Sequence, residues 1–104
     1  MELLSTTWTG NNSYTTTIDG SFQINRISIH YDASISNDTT VIVDRIDGTN
    51  YDELITTFDN SSGVTDNLVT FSDKELRLGT GDQIKVACNV GTDNAYLTID
   101  YMYM

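Results

Sequence analysis

His30 and Cys88 are the chain's one histidine and one cysteine, so any nucleophile paired with a nitrogen base has to run through them. A Ser-His-Asp or Cys-His arrangement also needs a third group to orient the base. In Arg26-Ile27-Ser28-Ile29-His30-Tyr31 the histidine falls mid-strand on a polar face, and no Gly-x-Ser-x-Gly turn occurs in the sequence. His30 therefore reads as an ordinary surface histidine. Zinc sites use three or four nitrogen and sulfur ligands, more than this chain can supply, and Cys88 reads as a small core residue. Glutamate occurs only at Glu2, Glu53 and Glu75, and nothing sets one of them opposite an aspartate across a cleft, as glycoside hydrolysis requires. A structural cation stays open. Asp44 and Asp47, Asp52, Asp59 with Asn60, and Asp93 with Asn94 gather near turns and offer the oxygens that calcium takes. Yet no Asp-x-Asp/Asn-x-Asp/Asn-Gly loop is present, and aspartate at turns is explained by its hydrogen bonds to the backbone alone. The sequence is read as non-enzymatic and without a cofactor.

Aromatic and apolar side chains are the other functional resource, since exposed Trp and Tyr stack on sugars or anchor protein interfaces. Trp8 and Tyr14 flank the polar stretch Gly10-Asn11-Asn12-Ser13, which suits a glycan platform; burial of Trp8 at one end of a core is the competing reading and the favoured one. In Tyr96-Leu97-Thr98-Ile99-Asp100-Tyr101-Met102-Tyr103, one face carries Leu97, Ile99, Tyr101 and Tyr103, and the other Tyr96, Thr98, Asp100 and Met102. Apolar groups on both faces imply either cover by another chain or a strand buried between sheets.

Charge narrows the partners. A formal net charge of -10, with only five Lys and Arg scattered along 104 residues, argues against nucleic acid, whose phosphates need clustered Lys and Arg, and against an anionic membrane surface. Partners should be neutral or basic. A lone cysteine excludes an intrachain disulfide. The opening Met1-Glu2-Leu3-Leu4-Ser5 lacks the basic and apolar regions of a secretory signal, and no stretch is apolar enough for a helical membrane span; synthesis and folding in a cytoplasm are expected.

The elements that must position these residues are strands. Period-two alternation marks Arg26 to Tyr31, Gln83 to Cys88 and Tyr96 to Tyr103. Thr39 to Ile46, with its run Val41-Ile42-Val43, reads as a central strand, and Asn67 to Phe71 as a short one. Leu3 to Thr9 and Tyr14 to Ile18 are Thr-rich strands. Tyr51, Leu54, Ile55 and Phe58 fall at helical spacing, but the segment is short for a helix and contains Thr56-Thr57, so a strand over Glu53 to Phe58 is favoured. Turns at Asp19-Gly20, Asp47-Gly48, Ser62-Gly63, Gly79-Thr80-Gly81-Asp82 and Gly91-Thr92 separate the runs. The expectation is an all-β chain: one antiparallel, jelly-roll-like β-sandwich of about eight strands over residues 1–104, with 1–20 as an N-terminal arm.

Leu76-Arg77-Leu78-Gly79-Thr80-Gly81-Asp82-Gln83-Ile84-Lys85-Val86, followed by Asn89 and the strand at Leu97-Thr98-Ile99, forms a Gly-Asp turn leading into alternating strands. With Asp47-Gly48-Thr49-Asn50-Tyr51-Asp52 and the Asn-rich opening, the chain resembles small accessory virion proteins of tailed bacteriophages, the head decoration or cement class. The likeness covers Ile24 onward and is one of style. It implies a sandwich, often trimeric, made in the host cytoplasm and carried on the virion surface, where it binds the major capsid protein and stabilises the shell without catalysis. Under that reading Leu3, Leu4, Trp8, Tyr96, Tyr101, Met102 and Tyr103 form protein interfaces, including one between copies of the chain. A carbohydrate- or receptor-binding module carried by Trp8 and Tyr14 is the alternative.

Overall fold

The structure, a computed structural model, describes residues 2–45 and 52–104, the side chains of Thr16 and Thr17 excepted. These residues form seven strands and no helix: β1 (Glu2–Thr17), β2 (Phe22–Ile35), β3 (Thr39–Asp44), β4 (Glu53–Phe58), β5 (Val64–Thr70), β6 (Arg77–Leu78) and β7 (Gln83–Tyr103). Every pairing is antiparallel. The all-β expectation holds, and the strand count differs for a definite reason. Leu3 to Thr9 and Tyr14 to Ile18 belong largely to one strand, β1, Gln83 to Cys88 and Tyr96 to Tyr103 are the two ends of β7, and the two-residue β6 is a strand the pattern did not mark.

The joint between those ends explains the architecture. Thr9 pairs with Asn94, but Asn11 pairs with Asn89, so Val90 to Asp93 on β7 bulge opposite Gly10 on β1. Gly10 and Gly91 have φ of 79° and 62°, values that side chains disfavour and glycine tolerates. A Cβ at Gly91 would meet nothing within 4 Å, so glycine is there for its conformation and not for space. The bulge bends both strands, and each therefore serves two layers. Below the bend the order is β4, β3, the first half of β7 and the second half of β1; above it, the first half of β1, the second half of β7, β2 and β5.

The inner faces of the two layers close on one core. Val41, Val43, Ile84 and Val86 come from the first layer and Ile27, Ile29, Leu97 and Ile99 from the second, all essentially inaccessible to water. Two bulges shift the alternation on the way. Asn25 is the extra residue between Ile24 and Arg26, which puts both Ile24 and Ile27 inside. Ile55 is the extra residue of β4, so Ile55 and Phe58 both pack on the core. The helical spacing of Leu54, Ile55 and Phe58 is thus the trace of a bulged edge strand. Tyr51 and Asp47 lie outside the described residues.

A closed ring of hydrogen bonds joins the layers at one end. Asn60 Nδ2 donates to Thr39 Oγ1 (3.1 Å), Thr39 and the Tyr31 hydroxyl are 2.6 Å apart, Tyr31 donates to Asn67 Oδ1 (2.8 Å), and Asn67 Nδ2 returns to Asn60 Oδ1 (2.9 Å). All four residues are buried. Each hydroxyl can donate once and accept once around the ring, so the demand that buried polar groups be satisfied is met. Burial pushes the Tyr31 hydroxyl up to about 12, which keeps it protonated as the donor this ring needs.

Candidate interaction surface

The outward face of the second layer holds most of the exposed chemistry. Strand register sets it out in rows. Leu3, Asp100, Arg26 and Thr70 lie side by side across β1, β7, β2 and β5; the next row is Ser5, Thr98, Ser28 and Leu68; the third is Thr7, Tyr96, His30 and Asp66. Large apolar side chains stand open to water on this face: Leu3 is 65% exposed, Leu68 59%, Tyr96 44% and Met102 41%.

Polar contacts fix the third row. His30 Nδ1 lies 2.9 Å from Asp66 Oδ1, and its ring stacks on Tyr96 with centroids 6.3 Å apart. Asp32 accepts from the backbone N–H and the Nδ2 of Asn94 at 2.9 and 3.0 Å. Those bonds from Asn94 hold the Asp32 carboxyl below its ordinary range, and the bond to His30 does the same for Asp66. Both carboxyls favour the folded state above the ordinary carboxylate range, and that contribution is lost as pH falls through the lowered values. His30→Phe should return Asp66 toward an ordinary carboxyl titration; carbon NMR of the side-chain carboxyl checks this, and an unmoved midpoint would remove His30 as the cause.

Asp100 is the unusual member of the first row. Its Oδ2 lies 2.9 Å from Arg26 Nη2, yet its side chain is only 8% exposed against 47% for the arginine. Oδ1 is buried without a hydrogen-bond partner. A buried carboxylate that is half satisfied is costly, and a donor brought to Oδ1 would relieve it.

The residues singled out from the sequence separate into groups. Leu3, Tyr96 and Met102 share the outward face. Trp8 is buried, its Nε1 donating to the Cys88 carbonyl at 3.1 Å. Leu4, Tyr14 and Tyr101 are partly buried against the core, Tyr101 edge-on to Phe22 and Tyr103. Tyr103 is exposed at the end of β7. Sequence reasoning missed Leu68, whose strand was recognised but not its faces, and Asp66, which only strand pairing brings to His30. That pair supplies the orienting carboxylate looked for above, but on an exposed sheet face, and among the described residues His30 bonds to no hydroxyl or thiol. Cys88 is buried. Among the described residues no three His, Cys, Asp or Glu side chains gather as a metal site.

No protein-family model matches the sequence, and no curated protein matches it. Solved structures do resemble the fold. The core of Drosophila NLP, described in terms of pentamer formation and histone binding, aligns with a TM-score of 0.55 and 13% identity over 98% of this chain and 99% of that one. The nucleoplasmin-like N-terminal domain of Drosophila FKBP39 aligns with a TM-score of 0.51 and 16% identity over 98% and 88%. The fold is therefore an all-β sandwich similar to that of these two proteins.

This finding corrects the resemblance drawn from the sequence. The neighbours are nucleoplasmin-like domains and not phage virion proteins, and the capsid-decoration reading falls with its major capsid protein partner, its three-fold assembly and its place on a virion. The physical reason lies in the Gly-Asp turn. Asp82 Oδ2 accepts from Gly79 N–H at 2.9 Å, and Asp82 N–H donates to Gly79 O at 3.1 Å. Such a turn serves the entry to a strand in any sandwich and carries no information about a partner. The carbohydrate-binding alternative is corrected too, by the same neighbours and by the inward placement of Trp8 and Tyr14.

Proposed function

We propose that this chain is a non-catalytic assembly domain that joins copies of itself into a ring and binds basic proteins of the histone class. The observation that carries the reading is the end-to-end likeness to the Drosophila NLP core, a protein described through pentamer formation and histone binding. The charge agrees with it. A chain at -10 attracts Lys- and Arg-rich proteins over distances of about a Debye length, near 8 Å at physiological salt. The chemistry of the outward face agrees as well, since exposed Tyr96 and Leu68 beside Asp66 and Asp32 offer apolar contact and negative charge together.

Two measurements test the proposal. Native mass spectrometry of the free protein should give a species five times the 11.6 kDa chain mass. Titration with core histones should give binding that weakens steeply as salt is raised, because the attraction is between exposed charges. A monomer that ignores histones at low salt would overturn the reading.

A further inference from the structure

β1 presents an unusual edge. Across Glu2 to Thr9 it pairs with β7 on one side, and among the described residues nothing pairs with it on the other. Exposed edges are templates for another strand, and proteins blunt them with charge, proline, bulges or brevity. The opposite edges follow that rule: β4 is six residues long and bulged, and β5 carries Asp66 in seven residues. The first half of β1 runs eight residues before its bulge with Glu2 as its single charge and no proline or lysine. This edge is left able to pair.

Asp100 lies one strand inside that edge, directly across from Leu3. Strands in a sheet stand about 4.8 Å apart, so a strand added outside β1 would lie roughly 10 Å from β7. Lys and Arg lay long methylene stems over apolar surface while the charged head seeks a partner. A basic residue opposite Leu3 would find that surface in the 65% exposed leucine and, beyond it, the unpartnered Oδ1 of a side chain that is 8% exposed.

We propose that the Glu2 to Thr9 edge of β1 takes an extended peptide as an added strand, and that a lysine or arginine of that peptide crosses Leu3 to pair with Asp100. The proposal rests on the reading of the chain as a binder of basic proteins, and it names where and how such a protein docks. Main-chain hydrogen bonds along the edge supply affinity, and the alternate side chain over Leu3 supplies the preference for a cation. Charge favours this occupant over a second copy, because Arg26 reaches only Oδ2 of the carboxylate and leaves Oδ1 without a donor, and the chain is strongly acidic.

The test uses the full chain and a labelled synthetic peptide of alternating lysine and threonine, with a glutamate-threonine peptide as control, followed by fluorescence anisotropy. The lysine peptide should bind and the glutamate peptide should not. Leu3→Lys puts a like charge at the crossing point without touching the core, and Asp100→Asn removes the acceptor's charge; each should weaken binding roughly tenfold or more, the scale of a charged hydrogen bond. Leu54→Lys adds the same charge to the 64% exposed leucine of β4 and should leave binding unchanged. Amide exchange over Glu2 to Thr9 should slow when the peptide is bound.

Should Asp100→Asn fail to fold, Leu3→Lys decides alone. Equal weakening by Leu3→Lys and Leu54→Lys would reduce the effect to diffuse charge and overturn the proposal, as would wild-type binding by Leu3→Lys. Loss of oligomer mass in Leu3→Lys would assign this edge to contact between copies and overturn it as well, leaving histone binding intact. A wild-type chain that binds neither peptide nor histones defeats the underlying reading itself.

Discussion

Trp8→Ala should lower folding stability by about 3 to 5 kcal/mol, the usual cost of removing a buried Trp or Phe. In a chain of this size that corresponds to a melting temperature lower by on the order of 20 °C, measurable by circular dichroism. The indole faces inward across from Ala95, which is fully buried and leaves it room. Its Nε1 also ties β1 to the Cys88 carbonyl next to the bend. Trp8→Phe separates the two contributions. It keeps most of the apolar area and gives up the indole hydrogen bond, so it should cost nearer to 1 kcal/mol than 4. A Trp8→Ala protein that melts with the wild type would place the side chain outside the core.

Asn60→Ala should cost about 3 kcal/mol although it changes a polar side chain in a turn. Asn60 is fully buried and closes the hydrogen-bonded ring with Thr39, Tyr31 and Asn67. Its Nδ2 also donates to the Asn37 carbonyl at 2.9 Å. Removing it leaves the buried Asn67 Nδ2 short of a partner, which costs about 1 to 3 kcal/mol in a dry environment, and takes the nitrogen donor from the Asn37 carbonyl, which keeps only Cys88 Sγ at 3.6 Å. Denaturant melts of Asn60→Ala, Tyr31→Phe and the double variant test the ring as a unit. The double variant should lose less than the two single losses added together. Strict additivity would show the four residues acting independently.

The sequence carried the local part of this structure well. In 96–103 the alternation set Leu97 and Ile99 on one face and Tyr96 and Met102 on the other, and the structure buries the first pair and exposes the second. Where a bulge resets that phase, at Asn25 and Ile55, the same rule misled or went silent. The pairing of β1 with β7 left no local trace, since Glu2 meets Tyr101 across nearly the whole chain. The candidate surface was legible only in part for the same reason. Leu3, Tyr96 and Met102 were named among the interface residues, but the placement of Asp66 against His30 and of Asp100 against Arg26 arises from strand order. The phage resemblance failed because it weighed turn chemistry, which is common to many sandwiches.

β1 pairs along its whole length with β7, from Glu2 against Tyr101 to Thr17 against Gln83. Among the described residues β1 has no other partner, so on a ribosome β2 to β6 are made while a Thr-rich, nearly uncharged strand waits for β7. Contacts so distant in sequence are slow to form, and an open strand during that wait invites pairing with a neighbouring nascent chain. Yield in the cell should therefore depend on synthesis rate and crowding more than the stability of the finished sandwich suggests.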